Sequence, residues 1–444
     1  MLGQIITKSC RISPGEYHFD RASNGLENPD LTISGNNIEV DFQGATFLGN
    51  GKKTLPDQFS GLGIKVEGKN ILIKNLKIRG YKIGLLAEQA ADFQLVDSDL
   101  SYNFRTRISP NQEIAFHCVD CPKTEDNSWI FASAAIYLKN CPNASVKNCT
   151  ATGNQIALFM VGCRDGLFYN NDFRFNAGFG IAMRQSDNNR IMHNRLNWNI
   201  RIFDQTRAGN GAGILCIDCS KNVFSYNSAT HSGCGFIGEK GQDNLFSAND
   251  FSYSGKNGVE LMGCQNFYLI SNYFDESPFG VFVDNLVDSR FISNVFRNNK
   301  TGISIVNGQS ILVKGNEFTG DSVGLDFQGQ NRPEDKYSVF YSLSSNLFSD
   351  TKLHLKINNT GKILLDSTNR FGTQDFVFEG KPKIDSQQIH KIQEEILHSS
   401  LITKPLPDGI DAKSGISRQR GRHWIWMTDW GPYDFRGPTC YLKK

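Results

Sequence analysis

Glu239, Glu260 and Asp284 are the residues whose type and spacing best fit chemistry: three carboxylates 21 and 24 residues apart, close to a period of 22 that recurs through the chain. Asp218, His231 and Lys240 stand near them in sequence, with Arg184 upstream. Two carboxyl groups can serve as general acid and general base on one bond. A carboxylate with a lysine, arginine or histidine can instead remove a proton beside a negatively charged group. Carboxylates on neighbouring turns of a repeat also offer the hard oxygen ligands that calcium prefers, a minority reading here. All of this requires a scaffold that sets residues one period apart side by side.

The repeat provides that scaffold. A glycine leading an alternating apolar segment recurs at Gly180, Gly213, Gly235, Gly258, Gly280, Gly302 and Gly324, at intervals of 33, 22, 23, 22, 22 and 22 residues. Gly63 and Gly84 show the pattern earlier, with Ala135 and Ala157 in the equivalent place between. A second marker keeps the same beat at Asn148, Asn171, Asn194, Asn227, Asn249, Asn272, Asn294 and Asn316. Each unit reads strand, turn, strand, turn, as in GVELMGCQNFYLISNYFDESPF, and no helical period intervenes. A parallel sheet without crossover helices closes only by coiling on itself. The expected fold is therefore all-β, a right-handed parallel β-helix solenoid of about eleven coils stacked about 4.8 Å apart, its core asparagines bonding amide to amide.

The chain divides accordingly into an N-terminal cap and entry coil (1–62), the β-helix (63–380) and a C-terminal extension (381–444). The extension holds a short helix over Ser386 to His398 and a Trp-rich strap. Insertions at 101–134 and 199–212 end just before a Gly-led strand, so they should wall one edge of its outward face.

Alternation within that strand points Val259 and Leu261 inward, Glu260 and Met262 outward. The second outward position then includes Tyr137, Phe159, Ile237, Glu260, Phe282, Ser304 and Asp326; the fourth includes Arg184, Glu239, Met262, Asp284 and Gln328. Gln185, Asp218, Lys240 and Asn285 follow directly, and His231 lies at the rim in a column with Ser254 and Glu276. Glu239 and Glu260, one coil and two positions apart, should have Cβ atoms about 8 Å from one another, as should Glu260 and Asp284. That separation suits an acid and a base flanking a glycosidic bond with a water between, although side-chain movement leaves a retaining course open. The expected catalytic set is Glu260 at the centre with Glu239, Asp284, Asp218 and His231. Arg184, Lys240, Gln185, Glu276, Phe282, Asn285 and Arg207 are expected to hold substrate. A surface ladder of acids balanced by Lys240 and Arg184 is the plain structural alternative.

Net charge is +2 from 47 basic and 45 acidic residues, so no global field argues for nucleic acid or an anionic membrane surface. No apolar run is long enough to span a bilayer, and Met1 to Cys10 lack the features of a leader. The eleven cysteines would ordinarily imply a reducing compartment or metal. Four of them, Cys141, Cys163, Cys219 and Cys264, each fall six residues after their coil's marker, which makes them a core ladder. The pairs Cys118–Cys121 and Cys216–Cys219 lack a partner pair in register, so neither a metal nor another cofactor is expected.

The repeat from Gly63 to about Phe348 resembles that of the pectate-lyase-like superfamily of right-handed β-helix proteins. NSATHSGCGF and DWGPYDF look like stretches of bacterial members of unassigned activity. The superfamily includes polysaccharide lyases, glycoside hydrolases, mannuronan epimerases and non-enzymatic adhesins. The resemblance implies a poly- or oligosaccharide ligand on the outward face of one sheet and a periplasmic or secreted location, with a cytoplasmic one as alternative. The aspartate cluster and paired HG and RIK motifs of polygalacturonases are missing, as is the DPHD motif of the epimerases. The leading expectation is a glycoside hydrolase. A lyase or uronate epimerase using Lys240, Arg184 or His231 is the alternative, and a non-catalytic carbohydrate-binding solenoid the third reading.

Overall fold

The computed structural model describes residues 3–19, 26–51, 54–107, 133–200, 211–329, 340–358, 362–372, 377–379, 383–385, 427–428 and 431–432. The chain forms two compact units, one of residues 1–189, 194–215 and 423–444, the other of residues 190–193 and 216–422. Among the described residues the only helical turn is a short 3-10 segment, Pro56–Gln58. The expected helix at 386–398, most of both insertions and nearly all of the Trp-rich strap lie outside the described residues.

In the first unit, Gln4–Ile6 and Cys10–Arg11 lie parallel against Leu31–Asp41, which pairs with Leu62–Lys74. The N-terminal segment thus joins the coil stack directly. One inward column then runs Ile64, Leu85, Ile136, Leu158, Ile181, all fully buried. Ala135 and Ala157 occupy the register of the leading glycine, as the spacing predicts.

In the second unit, Phe236, Val259, Val281, Ile303, Leu325 and Leu355 form the equivalent column. A second sheet stacks Phe224, Phe246, Leu269, Phe291, Val313 and Leu343. A third stacks Phe274, Phe296, Phe318 and Phe348, whose rings repeat every 4.8 Å at interplanar angles of 4° to 8°. The chain is a right-handed parallel β-helix, and eight of its 32 phenylalanines stand in these columns. Glycine leads the strand because the coils leave no room: a Cβ on Gly258 would stand 2.5 Å from the carbonyl oxygen of Gly280 and 2.7 Å from the Phe274 ring.

The asparagine ladder is present, with one correction. From Asn227 through Asn249, Asn272, Asn294, Asn316 and Asn346 to Asn369, each backbone N–H and side-chain amide donates to the next side-chain oxygen at 2.9–3.1 Å. In the first unit Asn171 bonds Asn194 in the same way, but Cys149, not Asn148, donates to Asn171. Asn148 is the left-handed residue just before it, and its amide reaches out to Asp97. The spacing of 22 cannot separate adjacent positions when both suit a turn. Cys141, Cys163, Cys219 and Cys264 are free, buried thiols that donate to main-chain carbonyls, for instance Cys141 to Ala87 and Cys264 to Gly238. Cys118–Cys121 lies outside the described residues.

Candidate functional site

Strand Cys234–Glu239 pairs with Asn257–Gln265, and this with Phe279–Val287, so Ile237, Glu260 and Phe282 form one outward column and Glu239, Met262 and Asp284 the next. The one-coil, two-position offsets expected among the three acids are therefore all present. Their surroundings differ from expectation. Glu260 is only 7% exposed, although its column neighbours are Ile237 and Phe282, as the alternation predicts.

Three groups converge on its carboxylate. Lys256 Nζ donates to both oxygens at 3.1 and 2.9 Å, Asn257 Nδ2 donates to Oε2 at 2.6 Å, and the buried Cys234 thiol approaches Oε2 at 3.6 Å. Burial opposes the charge on Lys256, but the charge and hydrogen bonds of Glu260 outweigh it and hold the ammonium above the ordinary lysine pKa. Burial, reinforced by the charge of Glu260, pushes the Cys234 thiol far up. Asn257 is 1% exposed and its Oδ1 has no hydrogen-bond partner. Its amide orientation is fixed, because exchanging O and N would set an oxygen against the carboxylate. In the next coil Phe279 pairs with Asn257 and Phe282 with Glu260; the two half-buried rings meet edge to face at 5.6 Å. A buried carboxylate, an unpartnered amide oxygen and an aromatic corner thus share one face. Lys256 and Asn257 escaped the sequence reading, though both are visible as the two residues preceding Gly258.

The other expected residues are more dispersed. Asp284 accepts from the amides of Asn285 at 3.0 Å and Asn307 at 3.4 Å. Asp218, Lys240, Gly263, Asn285 and Asn307 each stand five residues after the leading glycine of successive coils with φ of 52–60°, a conformation that favours Gly and Asn; it ends the strand at Asp218, Lys240 and Asn307 and lies within strands Asn257–Gln265 and Phe279–Val287 at Gly263 and Asn285. Asp218, Lys240 and Asn285 are thus first of all left-handed backbone positions. His231 is also left-handed and buried; its ring stacks on Tyr253 at 4.8 Å and its Nδ1 lies 2.9 Å from Thr230 Oγ1. Its column runs through Tyr253, not Ser254, to Glu276, because the left-handed turn residues are the ones in register. Arg184 and Gln185 belong to the first unit, where Arg184 pairs in register with Val161 and Gln185 is an exposed left-handed residue. Arg207 lies outside the described residues. Tyr137 and Phe159 are buried and stack on one another at 4.9 Å.

Asp326, two coils beyond Phe282 in the Glu260 column, is a second buried outward acid. It stands between Ser304 and Lys356, is 8% exposed, accepts from Gln328 at 3.0 Å and leaves Oδ1 unpartnered. Burial raises its pKa. Two depressions lie on other faces. One of about 710 Å³ runs along Asp41, Asn75, Asp97 and Asn148 in the first unit, and one of about 400 Å³ lies by Tyr268 and Arg290 in the second. No residue lining either has a buried polar atom lacking a partner, so the Glu260 cluster is the better candidate despite their size.

A family model described as periplasmic copper-binding protein (NosD) matches residues 62–257, and one described as right handed beta helix region matches 197–348. No curated protein matches the sequence significantly. Among solved structures, the periplasmic alginate epimerase AlgG is 13% identical over 83% of this chain and 84% of its own, with a TM-score of 0.44. The A-module of the Azotobacter vinelandii mannuronan C-5 epimerase AlgE4 is 12% identical over 78% and 88%, with a TM-score of 0.48. The catalytic unit of a GH87 α-1,3-glucanase from Streptomyces thermodiastaticus is 11% identical over 86% and 63%, with a TM-score of 0.43. Copper does not fit the described residues: among them no three His, Cys, Asp or Glu side chains gather as a metal would require, and the ladder thiols are turned to carbonyls. No described helix is long and apolar enough to cross a membrane. The coil register and the β-helix family model together place this chain in the superfamily of right-handed parallel β-helix proteins.

Proposed function

We propose that the outward face around Glu260 is the working face of a carbohydrate-active enzyme that cleaves glycosidic bonds, with Glu260 and Glu239 as its acid–base pair. The observation that carries this reading is the buried Glu260 carboxylate, held in one orientation by Lys256 and Asn257 beside the Phe279–Phe282 corner. Glu239 is one coil and two positions away, about 8 Å between Cβ atoms, leaving space for a water and an inverting course. Aromatic faces beside hydrogen-bonding groups suit the alternating apolar and polar faces of a sugar ring. The NosD match supports a periplasmic or extracellular location.

The test is incubation of the protein with a panel of polysaccharides while following new reducing ends and absorbance at the ultraviolet band of an unsaturated uronate. Reducing ends without the chromophore support hydrolysis. The chromophore would replace this reading with a lyase using Lys240, Arg184 or His231, and binding without any product would leave a carbohydrate-binding solenoid.

A further inference from the structure

The depression beside Tyr268 and Arg290 lies on the second sheet, not on the Gly-led strands that carry Glu260, and its volume of about 400 Å³ is in the range of small-ligand sites. Tyr268, Arg290, Leu312 and Ser342 form one outward column along it, and Asn266, Asp288 and Ser310 stand at the turn beside them. Arg290 Nη1 donates to Tyr268 Oη at 2.9 Å, and the guanidinium carbon lies 5.1 Å from the centre of the Tyr268 ring. That contact fixes a half-buried cation and occupies one of its nitrogens. The Nε–Nη2 edge meets no acceptor among the described residues, and this edge is the fork that matches the two oxygens of a carboxylate. Tyr268, having accepted from Arg290, keeps its own O–H to donate. Ser342 is 4% exposed yet lines the depression, and its hydroxyl, open to that space, takes no hydrogen bond among the described residues. The charges around the fork are few. Asp288 lines the depression but is exposed and makes no ion pair with Arg290, Asp243 is engaged by the Asn266 amide, and Lys314 adds a positive charge two residues after Leu312. Arg290 thus finds no carboxylate partner among the described residues, and a ligand can supply one.

We propose that this depression is an anchoring site for an acidic saccharide: the carboxylate of a uronate ring sits on the Arg290 fork and accepts from Tyr268, and the next ring lies over Leu312 and bonds Ser342. Arg290 and Ser342 are two coils apart, about 10 Å at the strand spacing of a sheet. A disaccharide spans that distance, whereas a free hydroxy acid engages the fork alone.

The test is calorimetric titration of the full chain with di- and trisaccharides of galacturonate, glucuronate and mannuronate, with neutral oligosaccharides of equal length, and with free gluconate. The best acidic saccharide is expected to bind at least about tenfold more tightly than the neutral chains or gluconate, and to weaken as salt is raised. Arg290→Met should lose about tenfold to a hundredfold of that affinity, and Arg290→Lys should recover only part of it, since an ammonium lacks the fork. Ser342→Ala should cost the saccharide a few-fold and gluconate nothing, and Asp288→Asn should tighten both slightly. Acidic and neutral chains binding alike, gluconate binding as tightly as the saccharides, or uronate affinity unchanged in Arg290→Met overturns the inference; the comparison on the unaltered protein decides the matter if that variant does not fold. Glu260→Gln should leave uronate affinity as it is. A loss there instead would put the uronate on the Glu260 face and overturn this site while leaving the reading of that face standing, and absence of turnover on any glycan would do the reverse.

Discussion

Lys256 Nζ reaches both carboxylate oxygens of Glu260, four residues on, at 3.1 and 2.9 Å. An extended strand carries residues four apart onto the same face, and here the approach to the strand bends enough for the ammonium to meet the acid head-on. Lys256→Met would leave Glu260 buried with only the Asn257 amide and the Cys234 thiol. Turnover is expected to fall by at least about tenfold with little change in KM, and Lys256→Arg to recover part of it. Steady-state kinetics of the three proteins check this; equal kcat values would show Lys256 to be a surface charge only.

Glu260→Gln keeps the shape of the side chain and its packing against Phe282, but cannot accept or deliver a proton at the reacting bond. Turnover should drop by orders of magnitude while ligand affinity and melting temperature hold. Glu239→Gln should do the same if the two act as a pair, and neither loss should add fully to the other in the double variant. Titrations and rate measurements on the same preparations separate chemistry from binding.

The phenylalanine column makes a stability prediction independent of any activity. Phe296 is fully buried, stacked at 4.8 Å on both Phe274 and Phe318. Phe296→Ala removes a ring from the middle of the stack and should cost about 3–5 kcal/mol, with Phe296→Leu costing less. Urea unfolding followed by circular dichroism measures the difference. A cost below about 1 kcal/mol would mean that neighbouring coils collapse into the space.

Cys141, Cys163, Cys219 and Cys264 should react with a thiol reagent only after denaturation, and a chelator should leave the melting temperature unchanged. Burial explains the first expectation: it pushes the Cys264 thiol up to about 11, far from the reactive thiolate form. Rapid labelling of these four in the native protein would refute the ladder.

Coil period, strand order and inward residues were legible because each is a repeated local pattern, and a one-residue error in register would have turned Val259 and Leu261 to solvent. The three acids were placed correctly for the same reason. Turns were read less well. Asn148 and Ser254 were put in columns that belong to Cys149 and Tyr253, since which of two neighbours takes a left-handed φ is decided by the coil below as much as by residue type. The burial of Glu260 was not legible at all. An outward position reads as exposed until its actual partners, here Lys256 and Asn257, are known.

Asp321 supplies the last prediction. It is fully buried in a polar column that contains Asn299 and Thr351, and its Oδ1 accepts from the backbone N–H of Asn299 at 2.6 Å and from the side-chain amide at 3.0 Å. Asn299 and Thr351 each donate onward to a phenylalanine carbonyl, Phe274 and Phe318, but Asp321 Oδ2 has no partner. Burial raises the Asp321 pKa from 3.8 to about 7, partly offset by the Asn299 bonds. The sign follows: between about pH 4 and pH 7 the unfolded chain has released this proton and the folded chain keeps it, so stability declines as pH rises and levels off above the folded pKa. Asp321→Asn carries a permanent N–H pair in the same shape and can continue the ladder. It should match the parent near pH 4, exceed it by a few kcal/mol at pH 8, and flatten the pH profile between. Urea titrations of both proteins across that range read this directly, and a parent no less stable than Asp321→Asn at pH 8 would show that the carboxylate is accommodated in its charged form.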